Sequence, residues 1–132
     1  MAKARYEGGC HCGKVRMVVH GDLSSAAVCN CSICTKKGFI HLIVPREDFE
    51  LVSGREELAT YEFNTRTAKH HFCRICGVRP FGVGTETRIG KMYGVNLGCL
   101  ASVSEEELSR IPVTYVDGIH DRFVPPEHFS HL

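Results

Sequence analysis

All but one of the eight cysteines in this chain fall into three tight groups, and that grouping constrains the fold more than any hydrophobic pattern does. Cys10-His11-Cys12 is a C-x-C after Gly8-Gly9, Cys29-Asn30-Cys31-Ser32-Ile33-Cys34 is a C-x-C-x-x-C, Cys73-Arg74-Ile75-Cys76 is a C-x-x-C followed by Gly77, and Cys99 stands alone. The first residues, Met1 to Glu7, carry no apolar run of the secretory kind, so the expected location is cytoplasmic. In a reducing compartment, clustered cysteines signal metal binding or catalysis rather than disulfides.

The spacings carry their own chemistry. In an extended chain residues i and i+2 point to the same side, so Cys10 and Cys12 can offer two thiols to one ion. A C-x-x-C turn brings two sulfurs together while its amides point at them, and Gly77 can take the positive φ that such a turn needs. Zinc takes four tetrahedral ligands, and one pair from each of two distant segments completes that shell. Cys10, Cys12, Cys73 and Cys76 then make a closed, structural site. Cys29, Cys31 and Cys34 make a group of three, and three protein ligands with one open position are the mark of a catalytic zinc. A local pairing of Cys10 and Cys12 with Cys29 and Cys31 satisfies the same spacings. Cys99 reads either as a small buried side chain or as a fourth ligand that would close the second site. Thiolate donors favour zinc over harder ions.

A chain of 132 residues suits a single domain, 1–132, with a core large enough to fold without disulfides. No stretch reaches the roughly 18 apolar residues of a membrane span. The formal net charge is +1 without a basic bloc, so electrostatics give no support to a nucleic-acid binder. Lys14 to His20 places Val15, Met17 and Val19 on one strand face. Phe39 to Val44, Phe49 to Val52, Leu58 to Phe63, Lys69 to Phe72 and Lys91 to Leu97 read as further strands between turn residues. Ser104 and Glu107 form the capping box of a short helix, with Val103 and Leu108 at staple positions and Pro112 beyond its end. A second helical turn is expected near Ser32. The fold class is mainly β, antiparallel, with one or two short helices.

Three motifs in this order resemble the glutathione-dependent formaldehyde-activating family, which also includes centromere protein V. They are Gly8-Gly9-Cys10-His11-Cys12-Gly13-Lys14-Val15-Arg16, Cys29 to Cys34, and Phe72-Cys73-Arg74-Ile75-Cys76-Gly77-Val78. Tyr93 to Leu100 and Asp117-Gly118 resemble later parts of the family pattern, and the likeness runs from about Tyr6 to Phe123. The resemblance implies a β-tent of small antiparallel sheets pinned by zinc. It implies a structural zinc on Cys10, Cys12, Cys73 and Cys76 and a functional zinc on Cys29, Cys31 and Cys34. It also implies a carbon–sulfur lyase activity, the addition of glutathione to formaldehyde to give S-(hydroxymethyl)glutathione. Members credited with that reaction tend to carry a C-terminal helical extension, which this sequence does not contain.

A zinc held by three thiolates is a poor Lewis acid but a good acceptor of a fourth thiolate, which it would deprotonate near neutral pH. The bound thiolate could attack a small aldehyde held beside it. Backbone amides around Ser32 to Cys34 and the side chain of His41 are candidate donors to the oxyanion. Glutathione carries two carboxylates, for which Lys36, Lys37 and Arg79 are candidate partners; as ordinary surface cations they would do nothing. His70 and His71, before Cys73, could tune or replace a ligand, but read more simply as exposed strand residues, and His11 reads as pointing away from the metal by strand alternation. The competing readings are a zinc-stabilised binding module without catalysis, and a thiol redox protein using Cys73 and Cys76. The βαβ setting of the redox protein is missing.

Overall fold

In a computed structural model that describes residues 3–85, 90–120 and 124–128, the chain forms ten strands and two short helices. Phe123, where the resemblance ends, lies outside the described residues. Strand β1 (Ala4–Gly9) pairs antiparallel with β2 (Arg16–Gly21), and β2 pairs with β5 (Phe49–Ser53), giving a three-stranded sheet. A seven-stranded sheet runs in the order β10 (Val113–Val116), β3 (Ala26–Cys29), β4 (His41–Pro45), β9 (Met92–Asn96), β8 (Phe81–Gly84), β7 (Ala68–Cys73) and β6 (Leu58–Tyr61). Neither sheet closes into a barrel. Every ladder is antiparallel except β10 with β3, which is parallel and joins residues far apart in sequence.

The two sheets face each other across an apolar core. The alternation of β2 puts Met17 and Val19 into it, and Leu42, Val44, Phe81, Val83, Val95 and Leu97 enter from the larger sheet. Phe49 of the small sheet stacks on Tyr93 of the large one, with ring centroids 4.1 Å apart, and ties the layers at one edge. A second small cluster, Cys10, Val15 and Cys73, is packed by Leu51, Leu58, Cys76 and Val78.

Helix α1 (Ser32–Lys37) starts inside the second cysteine group and ends on Gly38, whose φ of 70° closes a left-handed cap. Helix α2 (Glu105–Arg110) has the expected capping box: the Ser104 hydroxyl accepts from the Glu107 amide, and the Glu107 carboxylate accepts from the Ser104 amide. Among the described residues no helix is long and apolar enough to cross a membrane.

Candidate functional site

Cys10 and Cys12 follow the end of β1, but the chain there is a turn, not a strand: the Gly13 amide donates to the Cys10 carbonyl at 3.2 Å. The turn, rather than strand alternation, brings these two sulfurs to 3.6 Å. Cys73 closes β7, and Gly77, with φ of 78°, lets the chain double back so that its amide reaches the Cys73 carbonyl. Cys12 and Cys73 Sγ stand 3.7 Å apart, and all four sulfurs of Cys10, Cys12, Cys73 and Cys76 lie within 4.8 Å of one another. A tetrahedral site with metal–sulfur bonds of about 2.3 Å has edges of about 3.8 Å. A disulfide would need about 2.05 Å. The donor set therefore fits a thiophilic ion.

Amides prepare the thiols for that role. The Val15 amide donates to Cys10 Sγ at 3.3 Å. Burial works against the Cys10 thiolate, yet this bond and the neighbouring thiols leave its pKa lowered. The Cys76 thiol is brought down to about 6, chiefly because the amides of Cys12 and Val78 donate to it.

The second cluster is built where β3 runs into α1. Cys29 ends the strand, Cys31 is the residue before the helix, and Cys34 lies on its first turn. Their three sulfurs also lie within 4.8 Å of one another, and among the described residues the group has no further member. Donation from the Cys29 and Cys34 thiols favours the thiolate of Cys31 and holds its pKa down, while Cys29 and Cys34 are raised. Asn30, between Cys29 and Cys31, fastens the loop: its Nδ2 donates to Asp117 Oδ1 at 3.1 Å, and its Oδ1 accepts from the Ile119 amide at 3.0 Å. Asp117 is buried, and its other oxygen meets His120 Nδ1 at 2.8 Å.

Cys31 and Cys34 open onto a cavity of about 570 Å³ lined also by His41, His70, Arg79 and Ile119. His41 Nε2 stands 3.8 Å from Cys34 Sγ. Burial, with the charge of Arg79, lowers the pKa of His41 to about 4, so the ring is neutral near pH 7, and its one N–H, on Nδ1, donates to the Ala27 carbonyl at 3.4 Å. The Arg79 guanidinium stacks on Phe39, 4.5 Å from the ring centroid, and Phe39 meets His41 edge-on. Gly82 makes room for it, since a Cβ there would fall 2.2 Å from Nη2.

The sequence profile described as "Glutathione-dependent formaldehyde-activating enzyme" matches residues 5–117. The chain belongs to this family. It is also similar to a solved Rhodobacter sphaeroides protein, a structural genomics target, at 37% identity and a TM-score of 0.70. That match covers 82% of this chain and 99% of the other.

In this member of the formaldehyde-activating family the cysteines divide as four, three and one, and the local pairing of the first two groups does not occur. Cys99 joins neither cluster. It lies on the side of the first, where burial and then the charges of Cys10 and Cys76 raise its thiol to about 11. Lys36 and Lys37 are exposed on α1 and do not line the cavity, whereas Arg79 does. His11 is exposed, as expected. His70 is not: it is 6% exposed and faces the cavity, while His71, its strand neighbour, lies on the opposite face and bonds Thr60. Strand alternation in Lys69-His70-His71-Phe72 requires that one of the two histidines face inward, a signal the reading of both as exposed overlooked. Asp117 and Gly118 were legible only as part of a family pattern.

Proposed function

We propose that this protein is a zinc-dependent carbon–sulfur lyase of the S-(hydroxymethyl)glutathione synthase type, joining a thiol such as glutathione to formaldehyde or a similar small aldehyde. The observation that carries this reading is the three-cysteine cluster, which has no fourth protein ligand among the described residues and opens on a cavity. Zinc is the ion proposed for both clusters, since softer thiolate donors select it over calcium, magnesium or manganese. The four-cysteine site is structural, pinning the β1–β2 turn to the β7–β8 connection.

A zinc ion held by Cys29, Cys31 and Cys34 would supply a position that accepts and ionises an incoming thiol near neutral pH. The chain does the rest. The cavity walls hold the aldehyde against the nucleophile and shield the pair from water, the source of the proximity gain. The sulfur attacks the carbonyl carbon, the carbon–oxygen π bond breaks, and the oxygen takes the proton that the thiol has lost. His41 gives its one N–H, on Nδ1, to the Ala27 carbonyl at 3.4 Å, so the donors proposed for that oxygen are the backbone amides around Ser32 to Cys34. Lys36 and Lys37, exposed just beyond the three-cysteine loop, are the cations proposed for the carboxylates of a bound tripeptide. Arg79 places a further positive charge inside the cavity.

The direct test is exchange NMR on formaldehyde and glutathione with zinc-loaded protein. Adduct formation should exceed the buffer rate, and Cys31→Ser should abolish the excess while leaving the four-cysteine zinc in place. A rate equal to buffer would reject the proposal in favour of a zinc-stabilised binding module.

A further inference from the structure

The reading of the site as a thiol–aldehyde synthase leaves one feature without a use. Arg79 is only 8% exposed, yet its Nε and Nη1 have no hydrogen-bond partner. His70, 6% exposed and lining the same cavity, has neither ring nitrogen bonded. No aspartate or glutamate is among the described residues that line this cavity. The one lysine there, Lys69, is already paired with Glu62 at 2.9 Å. The thiolates of Cys31 and Cys34 offset the guanidinium charge from a distance but accept no hydrogen bond from it. Buried donors left unpaired are costly, and native structures seldom keep two such groups on one cavity unless something else supplies the acceptors.

Formaldehyde cannot be that partner. It is uncharged, and its single oxygen is needed beside the attacking sulfur. A carboxylate can, because its two oxygens match the planar fork of a guanidinium, and a neutral imidazole adds a further N–H. The placement also indicates which reactant carries it. Arg79 stacks on Phe39, Phe39 meets His41, and His41 Nε2 is 3.8 Å from Cys34 Sγ, so this run of side chains links the guanidinium to the cysteine cluster along one cavity that both line. The carboxylates of glutathione sit at the ends of a peptide, many bonds from its sulfur, and suit the exposed lysines better.

We propose that Arg79 and His70 form a subsite for a carboxylate on the carbonyl reactant, so that the aldehyde this site takes is a small 2-oxo acid of the glyoxylate class. The proposal rests on the thiol-addition reading for its chemistry but not for its binding step. The reaction balances without an oxidant: R–SH and OHC–COO⁻ give R–S–CH(OH)–COO⁻. One carbon–sulfur bond forms, the carbonyl π bond breaks, and the thiol proton ends on the new hydroxyl. Arg79 orients the carboxylate, and the adjoining carbonyl is thereby turned toward Cys31 and Cys34.

Two measurements on the zinc-loaded protein test this. Calorimetric titration with oxamate, an unreactive carboxylate of the same shape, should give saturable binding. Arg79→Met should weaken it by about tenfold or more, Arg79→Lys should restore part of it, and His70→Gln should cause a smaller loss. Metal content and circular dichroism establish that each variant is folded, and Arg79→Lys alone suffices should Arg79→Met fail that check. In exchange NMR with glutathione, the kcat/KM ratio of glyoxylate over formaldehyde should exceed about ten and should collapse in Arg79→Met. Absence of saturable oxamate binding, or equal binding by wild type and both Arg79 variants, overturns the proposal. A preference for formaldehyde that is indifferent to Arg79 overturns it too. Should oxamate bind through Arg79 while neither aldehyde reacts, the anionic subsite stands and the synthase reading falls. Should formaldehyde react and oxamate not bind, the reverse holds.

Discussion

Gly118 faces Cys29 so closely that a Cβ added to it would stand 2.3 Å from the Cys29 Sγ and 2.9 Å from the Cys31 Cβ. The contact exists because β10 lies parallel to β3 and delivers residues 117 and 118 beside the cysteine loop. A side chain at 118 must displace the Cys29 sulfur. Gly118→Ala should therefore weaken the three-cysteine metal site by about 10- to 100-fold, the range seen when groups supporting ligands are disturbed. Competition with a chromophoric chelator should show one metal released early and the other, on Cys10, Cys12, Cys73 and Cys76, held as in wild type.

Asn30 clasps the same loop with two hydrogen bonds, donating to Asp117 Oδ1 and accepting from the Ile119 amide. Asn30→Ala leaves a buried carboxylate oxygen and a backbone amide without that partner. The expected loss is about 1–3 kcal/mol, measured by urea unfolding of zinc-loaded protein. Faster metal release from the second site should accompany it.

The two clusters should respond differently to loss of a ligand. Cys73 has no exposed surface and sits among Val15, Leu51, Leu58 and Val78, so its site joins metal binding to packing. Binding energy at such a site is folding energy. Cys73→Ser should lower the thermal midpoint far more than Cys31→Ser. Cys31→Ser should instead remove one metal equivalent and the adduct-forming activity, with the fold retained by circular dichroism.

Burial, reinforced by the charges of Arg79 and Lys37, lowers the His70 pKa from its usual 6.5 to about 4. Between those values the unfolded chain binds a proton that the folded chain refuses. Stability from this group is thus complete above about pH 6.5 and lost as the pH falls toward 4. Acid also protonates the thiolates, so the informative quantity is a difference. Thermal midpoints of His70→Gln should fall less steeply than those of wild type over that interval.

What was legible in the sequence was local. The C-x-x-C turn with Gly77, the capping box of Ser104 and Glu107, and the inward run of Val15, Met17 and Val19 follow from covalent spacing, because a few bonds decide which side chains can meet; the same spacings left two partners open for Cys10 and Cys12, and packing chose Cys73 and Cys76. Even there the means differed: Cys10 and Cys12 converge through a turn rather than along a strand. The strand Phe81-Gly82-Val83-Gly84 escaped notice because its glycines erase the alternation, and β10 because its parallel partner is distant in sequence.

Tertiary structure alone decided the rest. It buried Arg79 and His70 without acceptors in a cavity beside Cys31 and Cys34, kept Lys36 and Lys37 outside it, and set Cys99 apart from the second cluster. Asn30 and Asp117, 87 positions apart, meet only because two short strands choose each other across the sheet. Sequence spacing governs which atoms can share one ion within a turn. Which charges are stripped of water, and which glycine must yield to a sulfur, depends on how distant segments pack.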